Sequence, residues 1–451
     1  MERFPECEEV HALARMIEAP YGIVVPAYDE STSDVMRLLR SIDQQALVVC
    51  VVNRNEKSAA HAQASNRRLM NDLKAAYSLV QGHDSLSLLR GSGLPKMLLI
   101  NRSDERLISS IGGVGEARNL GASVLCELMD LDHVQSEWIH QTDADSTLPA
   151  DYFTKAEERY EPQRSALCMR GVRCDAFGQS PEFTDTTKKC EISGRLYFFG
   201  WQLAGSPWAL LPTGCGIAVS RWAYRRVGGI QHYVSTEDWH LISSAARVGI
   251  AHRIYGEGRV QIESRPVSRP ASGHGSALSE ITANGQQGLR PVITSASVWQ
   301  HITAIYGAIN ACILTPSKVS SEQWALDAGR DFAVSRYPKA VIDTKVVSDI
   351  TNRFVGPIEF LKTMRGSAPE KYVSLHCLFD MRRCMIMKEA VKVLVGSSSM
   401  EDALEQNPLG NLSKMARSAS IEDIQQECYK LEEIHCSSDM GPHALAEKLL
   451  A

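Results

Sequence analysis

Along the first half of the chain, short apolar runs alternate with stretches whose apolar residues recur at helical spacing. That pattern predicts an α/β domain with a mainly parallel sheet. Residues 21–25 form a compact apolar run closed by Pro26 and read as a buried first strand. Residues 31–42 open on serines and place Val35, Leu38, Leu39 and Ile42 on one helical face. A second strand is expected at 46–52, then a longer polar helix at 57–80 with a break near Asn66. Residues 96–100 give a third strand, 115–129 a third helix behind a glycine-bearing loop, and 137–142 a fourth strand. Beyond it the pattern is mixed, with strands expected near 166–172 and 260–263.

From about residue 290 the periodicity turns helical. Segments 321–335, 347–364, 372–395, 399–406 and 420–434 are helical patterns separated by Gly, Pro and Ser. Gly273, Gly275, Gly285 and Gly288 supply linker composition ahead of them. Two domains are expected, residues 1–285 and a mostly α-helical 286–451, and a length of 451 residues suits two cores better than one.

Composition narrows the function classes. Hydrophobic residues at 44% and charged residues at 22% describe a globular protein in water. A net charge of -5 argues against a nucleic-acid partner but leaves room for a local basic pocket for phosphates. The most apolar stretch, 298–314, is short for a bilayer and is interrupted by Gln300, His301 and Asn310, so no membrane span is expected. Glu2, Glu6, Glu8 and Glu9 replace a signal pattern at the amino terminus. A cytoplasmic protein is therefore expected, with peripheral attachment to the inner membrane left open. The 12 cysteines are scattered without a Cys-x-x-Cys pair, which predicts reduced and mostly buried thiols.

Three polar strand ends carry candidate chemistry, at the edge where open α/β sheets bind ligands. The fourth strand runs into Asp143-Ala144-Asp145. Carboxylates two residues apart can face one ligand, and their hard oxygens suit Mg2+ or Mn2+ with water and phosphate completing the shell. Such an ion neutralises charge on a leaving diphosphate. The triplet fits a simple turn as well, with Asp145-Ser146 capping a following helix. Tyr28, Asp29 and Glu30 end the first strand with a ring for stacking and carboxylates for base or ribose hydrogens. Asn53 ends the second strand with an amide able to pair with a base edge. A solvated turn and an Asx cap are the competing readings of those two ends.

The loop Gly112-Gly113-Val114-Gly115-Glu116-Ala117-Arg118-Asn119 opens the third helix, where backbone N–H groups suit an anion and Arg118 adds a charged donor. Arg118 replaces the third glycine of a dinucleotide fingerprint, which argues against that use. Farther on, Glu237-Asp238 offers a carboxylate as general base for an acceptor hydroxyl. The same segment also reads as a helix start, with Ser235 or Thr236 as cap and acids in the first turn. Arg265 and Arg269 suit phosphate, and His274 in the same glycine-bearing loop offers a further metal ligand.

Taken together, five motifs resemble the family 2 glycosyltransferases of the GT-A fold. They are Val24-Val25-Pro26-Ala27-Tyr28-Asp29-Glu30, the turn at Asn53, Gly115-Glu116-Ala117-Arg118-Asn119-Leu120-Gly121, Thr142-Asp143-Ala144-Asp145 and Thr236-Glu237-Asp238-Trp239, in order over residues 20–275. The resemblance implies a GT-A-like catalytic domain in residues 1–285, a nucleoside-diphosphate sugar donor, Mg2+ or Mn2+, and an inverting displacement. It places Pro26, Ala27, Tyr28 and Glu30 along the nucleotide, Asn53 by the base, and Gly115, Arg118, Asn119, Arg265 and Arg269 along the donor. Asp143 then contacts ribose or metal, Asp145 is the principal metal ligand, His274 a further one, Asp238 the base, and Glu237 its neighbour orienting the acceptor. Asn53 stands where many members have Asp, which leaves the base open. The absence of a Gln-x-x-Arg-Trp motif argues against a processive synthase. The acceptor hydroxyl is left open among small molecule, glycan and lipid-linked forms. A retaining transferase on the same fold and a non-catalytic nucleotide-sugar sensor or scaffold are the alternatives. No resemblance is assigned to residues 286–451, which are left as an accessory domain for acceptor binding, homo-oligomer formation or a second activity.

Overall fold

The computed structural model describes residues 4–104, 106–176, 178–211, 213–256, 258–264, 293–314, 321–354, 385–387, 389–394, 397–436 and 438–450. The chain divides into two compact units, Met1–Gln179 with Pro212–Ser279, and Ser180–Leu211 with Glu280–Ala451.

The first unit opens with two short helices, α1 (Glu6–Glu9) and α2 (His11–Ala14). It continues through β1 (Gly22–Ala27), α3 (Thr32–Ser41), β2 (Leu47–Asn53), α4 (Ala60–Ala76), β3 (Ser78–His83), β4 (Leu86–Arg90), β5 (Lys96–Arg102), α5 (Gly113–Asp130) and β6 (Trp138–Gln141). Then come β7 (Ser146–Thr147), α6 (Tyr152–Glu157), β8 (Ser165–Arg170) and β9 (Val172–Asp175), before a long helix of the second unit, α7 (Pro181–Leu203). The chain returns with β10 (Ile217–Ser220), α8 (Arg221–Val227), α9 (Glu237–Val248), β11 (Ile250–Ile254) and β12 (Val260–Glu263).

Nine strands make one sheet in the order β11-β8-β10-β6-β1-β2-β5-β4-β3. Strands β5, β2, β1 and β6 run parallel, and β10 is antiparallel between β6 and β8. All residues of β1 and β2 are buried, as expected of parallel strands covered on both faces. The expected class, a mainly parallel α/β sheet flanked by helices and followed by a largely helical part, is the one observed. Strands β2 and β5 are laid outward from β1, and α5 then carries the chain back to set β6 on the other side of β1. That reversal opens a crevice at the carboxyl ends of β1 and β6. Helix α5 seats close on the sheet because Gly121 has no side chain: a β-carbon there would lie 2.4 Å from Val24 Cγ1.

Two expectations fail locally. The helix expected at 57–80 is the unbroken α4, and the residues after it form the β3-β4 hairpin. Strand β3 is exposed at every position, so Leu79 and Val80 carry no burial pattern to mark it as a strand. The helix α7 arises inside the mixed region. Its inner face carries Glu191 and Arg195, which interrupt the apolar stripe.

The second unit contains α7, β13 (Ile293–Thr294), α10 (Ala296–Leu314), α11 (Glu322–Arg336), α12 (Thr344–Phe354), β14 (Ser397–Ser398), α13 (Met400–Glu405), α14 (Leu412–Met415), α15 (Ile421–Cys436) and α16 (Pro442–Leu450). Helices α11, α13 and α15 fall where the sequence places them, and α12 covers the start of the segment expected at 347–364. The rest of that segment and most of 372–395 lie outside the described residues. Helices α10 and α11 approach closely at Gly329, where a β-carbon would meet Ala304 O at 2.3 Å. The buried Arg195 lies 3.0 Å from Glu191 Oε1 and 3.6 Å from Glu432 Oε2, with Tyr429 stacked on its guanidinium. Paired this way, its charge can stay inside. Among the described residues no helix is long and apolar enough to cross a membrane.

Candidate active site

At the end of β6 the chain turns instead of extending the strand. Thr142 N donates to Val24 O at 3.2 Å, tying the turn to β1, and Ser146 N donates to Asp143 O at 3.3 Å. Ser146 begins β7, which pairs with β12, and Glu263 N donates to Asp145 O at 3.2 Å. Asp145-Ser146 therefore leads into a strand and caps no helix. Ala144 is buried while Asp143 and Asp145 are half-buried.

Arg118 ties this turn to the far side of the crevice. Its side chain is buried on α5; Nη2 donates to Asp143 Oδ1, and Nε donates to Glu237 Oε1 at 3.0 Å. Burial works against the guanidinium's charge, but Asp143 and Glu237 outweigh it and hold Arg118 protonated. Gly214, just ahead of β10, makes the room. A β-carbon there would lie 2.8 Å from Arg118 Nη2 and 3.0 Å from Asp143 Oδ2. Gly214→Ala is expected to cost about 1–3 kcal/mol in chemical denaturation, as overpacking does. Gly194→Ala, whose added carbon meets nothing within 4 Å, should cost nothing by the same measurement.

Glu237 and Asp238 open α9 directly after Thr236, which sits at φ 70°, an uncommon left-handed conformation for a β-branched residue. Thr236 makes no side-chain capping bond. The helix start instead engages Asp238, whose Oδ1 accepts from Trp239 N at 2.7 Å. Burial lifts the Glu237 carboxyl to about 6, with Arg118 pulling it down and Asp238 pushing it up. Burial also raises Asp238, opposed by the Trp239 N–H and Arg118.

The segment leading into Thr236 is held against α5. Gly115 N donates to Tyr233 O at 3.1 Å, and a β-carbon at Gly115 would come within 2.3 Å of Gln231 O. Asn119 Oδ1 accepts from Tyr224 OH (2.8 Å) and Ile230 N (2.9 Å), and its Nδ2 pairs with His232 Nε2 at 2.9 Å. Gly115 and Asn119 thus act as supports of the loop that delivers Glu237 and Asp238, and the Gly115 N–H is committed to it.

On the other side of Asp143, Pro26 and Ala27 are buried in β1, Tyr28 is half-buried, Asp29 turns the chain at φ 55°, and Glu30 is buried. Asn53 Nδ2 donates to Ala27 O (3.3 Å) and Val51 O (3.2 Å). Its Oδ1 takes part in neither bond. The tie that organises these ends is Asn66 of α4. Asn66 is fully buried; its Oδ1 accepts from Asp29 N at 2.9 Å, while Nδ2 donates to Asn53 O at 2.9 Å and Ser103 Oγ at 3.2 Å. One carboxamide holds the loops after β1, β2 and β5 in register. The sequence reading gave neither Asn66 nor Gly214 a role. A polar residue where α4 should be apolar was the available signal for the first, and the run Thr213-Gly214-Cys215-Gly216 for the second.

Arg265, Arg269 and His274 lie outside the described residues. Among the described residues no group of three or more metal-ligating side chains converges.

No protein-family model matches the chain, and no curated protein matches it. Among solved structures it is similar to S. aureus TarS 1–349 in complex with UDP-GlcNAc, at 11% identity and a TM-score of 0.35 over 81% of this chain and 91% of that one. S. aureus TarS 1–349 in complex with UDP gives 9% identity and a TM-score of 0.34 over the same shares. A further S. aureus TarS structure gives 12% identity and 0.32, over 80% of this chain and 55% of that one. The likeness is loose, and no residue here takes a role from it.

Proposed function

We propose that the chain is a nucleotide-sugar-dependent glycosyltransferase of GT-A type, moving a sugar from a nucleoside-diphosphate sugar to an acceptor hydroxyl with inversion. The observation that carries this reading is Arg118, buried and bonded to both Asp143 and Glu237. It joins a strand-end Asp-x-Asp to a helix-start Glu-Asp in one crevice. An inverting displacement asks for that arrangement, with a leaving diphosphate on one side and a base for the incoming hydroxyl on the other.

In this reading Asp145 and Asp143 hold Mg2+ or Mn2+. Two half-buried carboxylates two residues apart in a turn suit an ion that takes one or two protein ligands and completes its shell with phosphate and water. When bound, the ion supplies charge neutralisation for the leaving diphosphate. Arg265, Arg269 and His274 remain candidates for the phosphates and metal, and Asp238 is the base with Glu237 orienting the acceptor. Residues 286–451 serve as an accessory domain.

The Asn53 amide limits what this strand end can offer the nucleotide. With Nδ2 engaged on Ala27 O and Val51 O, it can present only an acceptor to the nucleotide. A ring N–H of uracil, thymine or guanine, or the exocyclic amine of cytosine or adenine, can donate to it, so the amide alone does not choose the base. A thermal-shift panel of UDP-, dTDP-, GDP- and CDP-sugars with and without Mn2+ tests both points. A ligand at 100 times its Kd should stabilise the protein by about 2.7 kcal/mol. The donor that responds names the base, and no response to any donor would remove the transferase reading. Anomer-resolved product analysis tests the stereochemistry; a retained configuration is incompatible with Asp238 as base of a single displacement.

A further inference from the structure

Arg118 is one cation serving two carboxylates that belong to opposite halves of the crevice. Asp143 follows β6 on the donor side, and Glu237 opens α9 on the acceptor side. Both bonds come from the same guanidinium, Nη2 to Asp143 and Nε to Glu237, so each carboxylate competes with the other for its charge. The frame around Arg118 is closely built: Gly214 leaves the space that Nη2 fills, Gly121 seats its helix on β1, and Gly115 and Asn119 fasten the loop that carries Glu237. The Arg118–Glu237 pair is buried and little screened by water, while the half-buried Asp143 is open to a competing charge from the crevice.

We propose that Arg118 is a positioning residue that couples the two half-sites: a cation arriving at Asp143 shifts the guanidinium's charge toward Glu237, and this fixes the Glu237-Asp238 pair for the acceptor. The proposal rests on the function proposed above. It makes donor and metal the first to bind and the acceptor the second. Coupling of this kind is reciprocal. Whatever removes charge from Glu237 therefore leaves Arg118 to Asp143 and weakens the cation there.

The experiment measures Mn2+ affinity of the full chain by calorimetry in the presence of UDP, so that neither acceptor nor turnover is needed. Glu237→Gln is expected to weaken Mn2+ binding about fivefold or more, the lower range of typical coupling. In an Arg118→Met background the same Glu237→Gln change is expected to shift Mn2+ affinity less than about twofold, since the shared cation is gone. Arg118→Lys is the second background: it keeps the charge, but a compact ammonium lacks the fork that reaches both carboxylates, so the coupling should vanish there too. Thermal unfolding verifies that each variant is folded, and the lysine background decides the matter where the methionine one fails to fold. Equal effects of Glu237→Gln with and without Arg118, or no effect with Arg118 present, would overturn the coupling alone. Absence of Mn2+ binding by the unaltered chain with UDP would overturn the metal site proposed above, and the coupling with it.

Discussion

Asp238→Asn is expected to lower sugar transfer by ~10²–10⁴-fold, the usual worth of a general base, while donor-induced thermal stabilisation persists. Asparagine has the same shape and keeps an oxygen to accept the Trp239 N–H, so the start of α9 should hold. What it loses is the capacity to take a proton from the acceptor. The pH dependence follows from the same burial. Glu237 is raised to about 6 and Asp238 is raised as well, so the acid limb of kcat/KM should lie above the ordinary carboxylate range. Activity should fall as pH drops into the raised range where these two carboxyls take up protons. Stability runs the opposite way. A carboxyl raised on folding from 4.5 to about 6 favours the folded state fully below pH 4.5, and that contribution is lost as pH rises through about 6. Glu237→Gln should flatten this slope in denaturation curves taken between those limits. An Asp238→Asn enzyme with undiminished transfer would show that the base is another group.

Much of this site was legible because strand ends are legible. The runs leading to Tyr28, Asn53 and Asp143 read as strands from apolar density alone, and parallel strands connected by helices put such ends on one edge. The convergence of Asp143 with Glu237 was not legible in that way. It depends on β10 entering antiparallel beside β6 and on a glycine at 214 giving Arg118 space, and spacing along the chain encodes neither. The residues given donor roles at Gly115 and Asn119 show the same limit. A glycine at a helix start and an asparagine one turn on suggest phosphate contacts, but here they receive a loop from more than a hundred residues later. The hairpin β3-β4 escaped for another reason: an edge strand exposed throughout leaves no hydrophobic period to read. Polar residues inside helices, Asn66 in α4 and Arg195 in α7, blurred patterns that apolar residues would have made plain.

Asn66→Leu should have the largest effect on folding of any single change near the site. The replacement is similar in bulk and a better helix former, so α4 itself should tolerate it. The cost falls on the groups it abandons. Asn53 O and Ser103 Oγ lose a donor in the interior, at about 1–3 kcal/mol for each group left unsatisfied there, and the part-buried Asp29 N loses an acceptor. Arg67→Ala, one position along on the exposed side of α4, should stay within about 0.5 kcal/mol of the parent. The loss should also be local. Asp29 holds a left-handed conformation that asparagine's acceptor stabilises, and its release loosens the loop of Tyr28 and Glu30. UDP affinity, measured well below the variant's unfolding temperature, should therefore fall further than Mn2+ affinity, because the turn that carries Asp143 and Asp145 is tied to β1 through Thr142 N and to β12 through Asp145 O, bonds that Asn66 does not share. Equal losses of both affinities would mean that Asn66 supports the crevice as a whole. An unchanged denaturation midpoint would mean that the three loops are held by something other than its carboxamide.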